Sequence, residues 1–423
     1  MAVIRTFEGI AFYLSIFLIS IQLGKHFWPE YAFVNGIRLD YLSPTIYLSD
    51  ISILLFIAFH IVSHINAFYR IISKSFVLPL FLISLLFSSY FAQNFEASIY
   101  WSLKLIEIVF FSLCVANYSF NKILLRRLIN VLVVASLVQS VIVLIQFGLQ
   151  RSVGGALYFL GERTFSLSTI GISTFVANGQ EILRPYGTFP HPNVLAFFLS
   201  MVFLFVVSGI LSEKKSKFVY FYIASLIPVL VALLITASRV IIFLTLIIAV
   251  FSFLRSKKFL LYSLITIMAI FPFYIVLFSG RFLALDSLAS SIMIRLEFIN
   301  LGIKILQENL LFGVGLNNTF LESSFRNLPI YARFQPIHNI YLHLLLQIGL
   351  FGAIPVSIFV YKALKRALLL VKDRKFPAYI IALLTIEIFT VGLLDHFIIT
   401  LQQGLIMGGL VLGLLFNRSM EQV

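Results

Sequence analysis

The stretch FVYFYIASLIPVLVALLITASRVIIFLTLIIAVFSFL, Phe218 to Leu254, contains one charged residue, Arg239. A helix crossing the hydrocarbon core of a bilayer needs roughly 20 mostly apolar residues. This stretch therefore reads as two spans joined by the tight turn Thr236-Ala-Ser-Arg239. Similar runs lie on both sides of it. Spans are expected near 8–25, 45–66, 76–93, 97–118, 129–149, 193–212, 218–236, 239–254, 259–279, 338–361, 377–396 and 401–417. The runs are long and do not alternate, which excludes a β-barrel. The first, Gly9 to Leu23, lacks a small-residue cleavage site and is expected to be a span, not a removed leader.

Composition agrees. Of the 423 residues, 61% are hydrophobic and 11% charged, against about 25% charged in a soluble domain. Lipid must solvate much of such a chain, and spanning segments must satisfy their own backbone. The expected fold is an all-α polytopic membrane protein of about 12 transmembrane helices, one integral membrane domain over 1–423. Cys114 is the only cysteine, so no internal disulfide or cysteine-based metal cluster forms.

The cations set an orientation. With the N-terminus inside, the short inside loops are dense in lysine and arginine: Lys122, Arg126 and Arg127; Lys214, Lys215 and Lys217; Arg255, Lys257 and Lys258; and six between Lys362 and Lys375. The outside cations sit mainly in two long loops, 150–192 and 280–337, where the positive-inside bias is weak. Both termini are expected in the cytoplasm. The net charge of +14 is mostly this signal and does not point to nucleic acid. The long loops are not low-complexity, so they are expected to be ordered, the second partly helical.

Polar residues gather on the outside. Arg184-Pro-Tyr-Gly-Thr-Phe-Pro-His-Pro-Asn193 leads into a span, with prolines that prevent helix and Asn193 as an N-cap. It reads either as an ordinary helix start or as an anion site built from an arginine and helix-terminal amides. Arg239 either snorkels to the interface or serves a ligand. Ser291 to Asn309 reads as an amphipathic helix, with Glu297, Asn300, Lys304, Gln307 and Glu308 on one polar arc. Arg295 falls opposite, among apolar residues. There it needs an anionic ligand or a carboxylate such as Asp286 or Asp395. Phe312-Gly-Val-Gly-Leu-Asn-Asn318 is a turn, or a set of backbone amides offered to an oxyanion. His338 stands at the mouth of the next span, as a base or a helix cap, and Asn339, His343 and Gln347 follow as one stripe. Within the spans, Lys104 and Glu107 are spaced to pair, and Asp50, His60, His64 and Glu387 are further polar groups. The outside loops hold no acidic pair that would suggest a divalent-metal site.

In this order and spacing, Arg184 to Asn193, Ser238-Arg239, Arg295, Phe312 to Gly315, and His338-Asn339 with Gly349 and Gly352 resemble the O-antigen ligase and polymerase superfamily, over about 184–352. The resemblance implies a multi-pass protein of the inner membrane with a large extracytoplasmic loop between late spans. It implies an enzyme of polysaccharide biosynthesis in the cell envelope that uses no metal or cofactor. A glycan would pass from an undecaprenyl-diphosphate carrier to an acceptor hydroxyl on lipopolysaccharide, a growing glycan or a protein. Arg184, Arg239 and Arg295, with Asn193 and Asn339, would hold the diphosphate and glycan, and His338 would be the base. The competing readings are a transporter or flippase of lipid-linked oligosaccharide, and a non-catalytic partner in an envelope assembly.

Overall fold

The computed structural model describes residues 2–177, 179–212, 216–253, 285–322, 335–372 and 376–422. The expected span 259–279 and parts of the second long loop lie outside the described residues. The helices are α1 (Ala2–Leu18), α2 (Leu48–Lys74), α3 (Val77–Tyr90), α4 (Phe95–Asn117), α5 (Lys122–Leu149), α6 (Pro192–Ser212), α7 (Lys217–Ile235), α8 (Arg239–Phe253), α9 (Leu285–Glu308), α10 (Ile340–Leu370), α11 (Phe376–Val391) and α12 (Gln402–Phe416). Among the described residues, six are long and apolar enough to cross a bilayer (α2, α4, α5, α6, α7 and α10), and α3, α8, α11 and α12 are shorter apolar helices. The chain is thus a mostly helical multi-pass membrane protein.

Several boundaries differ from expectation, for one reason: hydropathy marks where lipid ends, not where helix ends. Helix α5 starts at Lys122 and carries Arg126 and Arg127, and α10 continues through Lys362, Lys365 and Arg366. The first helix stops at Leu18, and the next segment is extended. Gly24–His26 (β1) pairs antiparallel with Thr45–Tyr47 (β4), and Phe33–Val34 (β2) with Ile37–Arg38 (β3). In the first long loop Thr174–Ala177 (β5) pairs with Gln180–Leu183 (β6). The loops therefore add short β-ribbons to the expected all-α architecture. The sequence pair Asn178-Gly179, with apolar residues on both sides, is a hairpin signal set among helical patterns.

Helix α6 is the axis of the bundle. It is apolar on every side, with 89% of its most apolar stretch buried inside the protein, as expected of a helix surrounded by others. It packs on α5, α7, α8 and α11. Its N-terminal approach is clamped by two amides two turns apart on one face of α5. The Gln146 carbonyl accepts from Tyr186 N (3.0 Å) and Gly187 N (2.8 Å), and the Gln139 carbonyl accepts from Thr188 N (3.0 Å). The Glu162 carboxylate accepts from Val153 N and Gly154 N, each at 2.7 Å, and from Gln146 Nε2 at 2.8 Å. The first long loop is thus ordered by buried polar contacts.

Helix α10 is broken at Gly349, whose φ of +61° leaves the helical region. The Phe312-Gly-Val-Gly segment fills the break. Val314 N donates to Leu346 O (2.8 Å) and Gly315 N to Gln347 O (3.1 Å), while Leu350 N and Phe351 N donate to Leu310 O and Leu311 O. The Val314 and Gly315 amides are committed to the helix, so these two are not offered to an oxyanion. Gly313 sits at φ +72°, and a Cβ there would meet the backbone of Gln347 at 2.5 Å. In the buried interior Lys104 pairs with Asp50, which also accepts from Gln402 Nε2 (2.5 Å). Glu107 lies 3.9 Å from the ammonium, the expected i, i+3 pair, and Asp50 is the closer partner. Gly313→Ala should lose about 1–3 kcal/mol from backbone strain alone and more from the clash. Gly148→Ala, which has open space and an ordinary backbone, should be neutral. Thermal melting of the detergent-solubilised variants checks the contrast.

Candidate active site

Arg184 leaves β6 and turns inward, where it is buried. Nε donates to Thr236 O (2.7 Å), Nη1 to Ser173 Oγ (2.8 Å) and Nη2 to Asn193 Oδ1 (2.7 Å). One guanidinium thus joins the first long loop, the first turn of α6 and the α7–α8 turn. Asn193 Oδ1 also accepts from Ser238 Oγ (3.1 Å), and its Nδ2 donates to Asp395 Oδ2 (2.8 Å). Arg184 and Asn193 are brought together as expected, but as parts of a network within the protein.

Asp395 follows α11, in the connection to α12, and its Oδ1 accepts from His396 N (2.8 Å). Burial opposes its charge. The histidines His396, His338 and His191, with the Asn193 hydrogen bond, outweigh burial and hold its pKa down at about 2. The His396 ring stands edge-on to the His338 ring, with centroids 5.0 Å apart, and its Nδ1 contacts Thr400 Oγ1 at 2.6 Å. His191, between two prolines, accepts at Nδ1 from Asn193 N (3.1 Å). Burial, then Arg184, push its pKa down to about 3, against the pull of Asp395.

His338 precedes Asn339, the cap of α10. Asn339 Oδ1 accepts from Tyr341 N (3.1 Å) and Leu342 N (3.0 Å), and its Nδ2 donates to Leu393 O (3.3 Å). Asn339 therefore does the capping for which His338 is one candidate from the sequence. The His338 Nδ1 is buried and has no hydrogen-bond partner among the described residues, and the ring lies 6.2 Å from Phe298. Burial lowers the His338 pKa, Asp395 raises it, Arg295 lowers it, and a hydrogen bond to the Pro336 backbone raises it.

Arg295 lies on α9, one turn before Phe298. The polar arc Glu297, Asn300, Lys304, Gln307 and Glu308 is exposed, whereas Phe298, Gly302 and Ile305 are buried against Ile337, Leu342 and Leu346. Arg295 is half-buried between these faces. It makes no hydrogen bond or ion pair among the described residues, and Asp395 faces Asn193 instead. Its positive field acts on Arg239, at the start of α8, and on His338. His343 is buried, with Nε2 2.9 Å from Gln347 Nε2 one turn further along the same helix and Nδ1 without a partner among the described residues, so it serves α10 itself and not a bond between helices.

The sequence reading missed His191 and His396 and weighed Asp395 only as a partner for Arg295. A signal existed: Gly392-Leu-Leu-Asp-His396 ends an apolar run with an acid and an imidazole together.

These features define a candidate site at helix ends, where Arg295 and Asp395 act on His338 and Arg184 reaches Asp395 through Asn193. Residues 223–357 match a family model described as O-antigen ligase, and the resemblance to that superfamily is borne out over this stretch. The match supports a membrane-embedded ligase of glycans as the broad activity. It takes in Arg239, Arg295, His338 and Asn339, and begins after Arg184 and Asn193. No curated protein matches the chain.

Arg184→Ala should cost at least about 1.5–3 kcal/mol, the worth of a single hydrogen bond to a charged group, since three are lost. Melting of the substrate-free protein should show the loss. An arginine serving only a ligand would leave substrate-free stability unchanged.

Proposed function

We propose that the protein transfers a glycan from an undecaprenyl-diphosphate carrier to an acceptor hydroxyl at the extracytoplasmic face of the inner membrane, in a fold of about twelve spans with both termini cytoplasmic. The observation that carries the reading is His338. Its buried Nδ1 lacks a partner among the described residues, and the ring sits between the positive field of Arg295 and the negative field of Asp395.

Each group has a chemical task. Arg239 and Arg295 are half-buried and can meet a diphosphate as it gains charge on leaving. Guanidinium groups suit phosphate oxygens because they present planar, paired donors. Arg184 adds positive charge from behind while it fixes Asn193, and Asn339 sets the start of α10. Neutral His338 takes the proton of the acceptor hydroxyl. The oxygen then attacks the anomeric carbon, the bond from that carbon to the diphosphate breaks, and the electron pair leaves with the lipid carrier. Asp395 stabilises the imidazolium so formed. The arginines would supply the charge stabilisation that a divalent ion supplies in other transferases.

The base must be unprotonated. Because burial and Arg295 hold the His338 pKa below its ordinary value, transfer should be flat near pH 7 and fall only below pH ~6.5. Asp395→Asn removes a charge that raises this pKa, so the acid limb should move to lower pH while the maximal rate drops. His338→Ala should lower transfer by about 100-fold or more with insertion and abundance intact. The assay is purified protein in detergent with a lipid-linked oligosaccharide, since transfer, unlike transport, needs no sealed vesicle. Full activity in His338→Ala, or an acid limb above the ordinary histidine pKa, would remove His338 as the base.

A further inference from the structure

A second cluster lies deeper in the bundle, away from the site above. Gln402 joins the first turn of α12 to Asp50 in the first turn of α2, and Asp395 lies just before α12. That end of α2 is therefore near the His338 end of the protein. His60 and His64 follow Asp50 by about 15 and 21 Å along the helix, at 1.5 Å per residue. They are four residues apart and so share one face. That face meets Glu8 of α1.

One carboxylate oxygen serves both rings. Glu8 Oε1 is 2.8 Å from His60 Nδ1 and 3.7 Å from His64 Nε2. One ligand atom from each of the three residues lies within 4.8 Å of the others. The His60 and His64 rings are 4.8 Å apart between centroids, and α2 departs from helical geometry at His64, with φ −134° and ψ 32°. The distortion lies where the two imidazoles face the carboxylate.

The protein alone does not complete this arrangement. Glu8 and His60 are buried. A buried carboxylate is costly unless a cation meets it. The His64 contact is too long for a hydrogen bond. A divalent ion would neutralise Glu8 and use both imidazoles.

We propose that Glu8, His60 and His64 bind one divalent transition-metal ion of the zinc type, which fastens α1 to α2. Two imidazoles and a carboxylate suit zinc, with ligand bonds of about 2.0–2.2 Å and so about 3.3 Å between ligand atoms. The Glu8–His60 separation would open slightly and the longer separations would close, small movements for three side chains. One coordination position remains for water. The ion would be structural, distant from the acceptor and the diphosphate.

The test uses full-length protein carrying a non-histidine affinity tag, stripped with chelator in detergent. Cobalt(II) is titrated in and followed by its visible absorption, with zinc as competitor, and bound zinc is counted by mass spectrometry. We expect about one ion per chain and a rise in melting temperature with zinc. His64→Gln keeps the Glu8–His60 hydrogen bond and should fold. It and Glu8→Gln should bind at least about tenfold more weakly, since even indirect partners of a metal site cost that much, and should lose the zinc-dependent rise. His338→Ala should bind as the unaltered protein does. Absence of stoichiometric metal in the unaltered protein, equal binding by both Glu8 and His64 variants, or loss of the ion in His338→Ala would each overturn the proposal.

Discussion

The carboxamide of Asn193 accepts from Arg184 and Ser238 and donates to Asp395, joining the first long loop, the α7–α8 turn and the α11–α12 connection. These segments are far apart in sequence and come from separate spans. Without this junction the buried guanidinium would lose its Asn193 acceptor, Asp395 would lose a donor, and the field at His338 would change. The junction holds because its base is rigid. Helix α6 is surrounded by protein, and the two α5 glutamines fix the turn that leads into it. Hydrogen bonds at this depth are strong for the same reason that unmet ones are costly: little water competes for them.

The second constraint is the broken helix. A continuous α10 would satisfy its own backbone, but at Gly349 the chain leaves the helical region and the 310–315 segment supplies the missing partners. Irregular backbone in a membrane protein is tolerated where protein covers it, and here Ser88 of α3 also donates to Gln347 O at 2.7 Å. The break couples the end of α9, which carries Arg295, to the helix that starts beside His338.

Much of this architecture is legible in the order of the amino acids. Long runs with few charges mark the spans, because lipid leaves few alternatives. The amphipathic periodicity of 291–309 puts Arg295 off the polar arc, and α9 keeps the arc exposed while Arg295 lies half-buried at its edge. What the chain does not spell out is the division of labour among polar residues. Arg184 and Arg239 look alike in sequence, yet one is saturated by protein acceptors and the other lies half-buried near a second cation. The difference depends on Thr236, Ser173 and Asn193 meeting in space, which spacing alone does not encode. The two glycines at 313 and 315 are ambiguous in the same way, because a turn and an anion cradle use the same residues.

The stitched break also has a geometric meaning. Backbone bonds on both sides of Gly349 fix the stagger between the tail of α9 and the outer segment of α10. Loop length there acts as a gauge for the height of the imidazole relative to the bilayer. A relative with one residue more or less between Glu308 and Val314 would have to tilt the outer piece of the helix, and with it the depth at which a lipid-borne headgroup meets its acceptor.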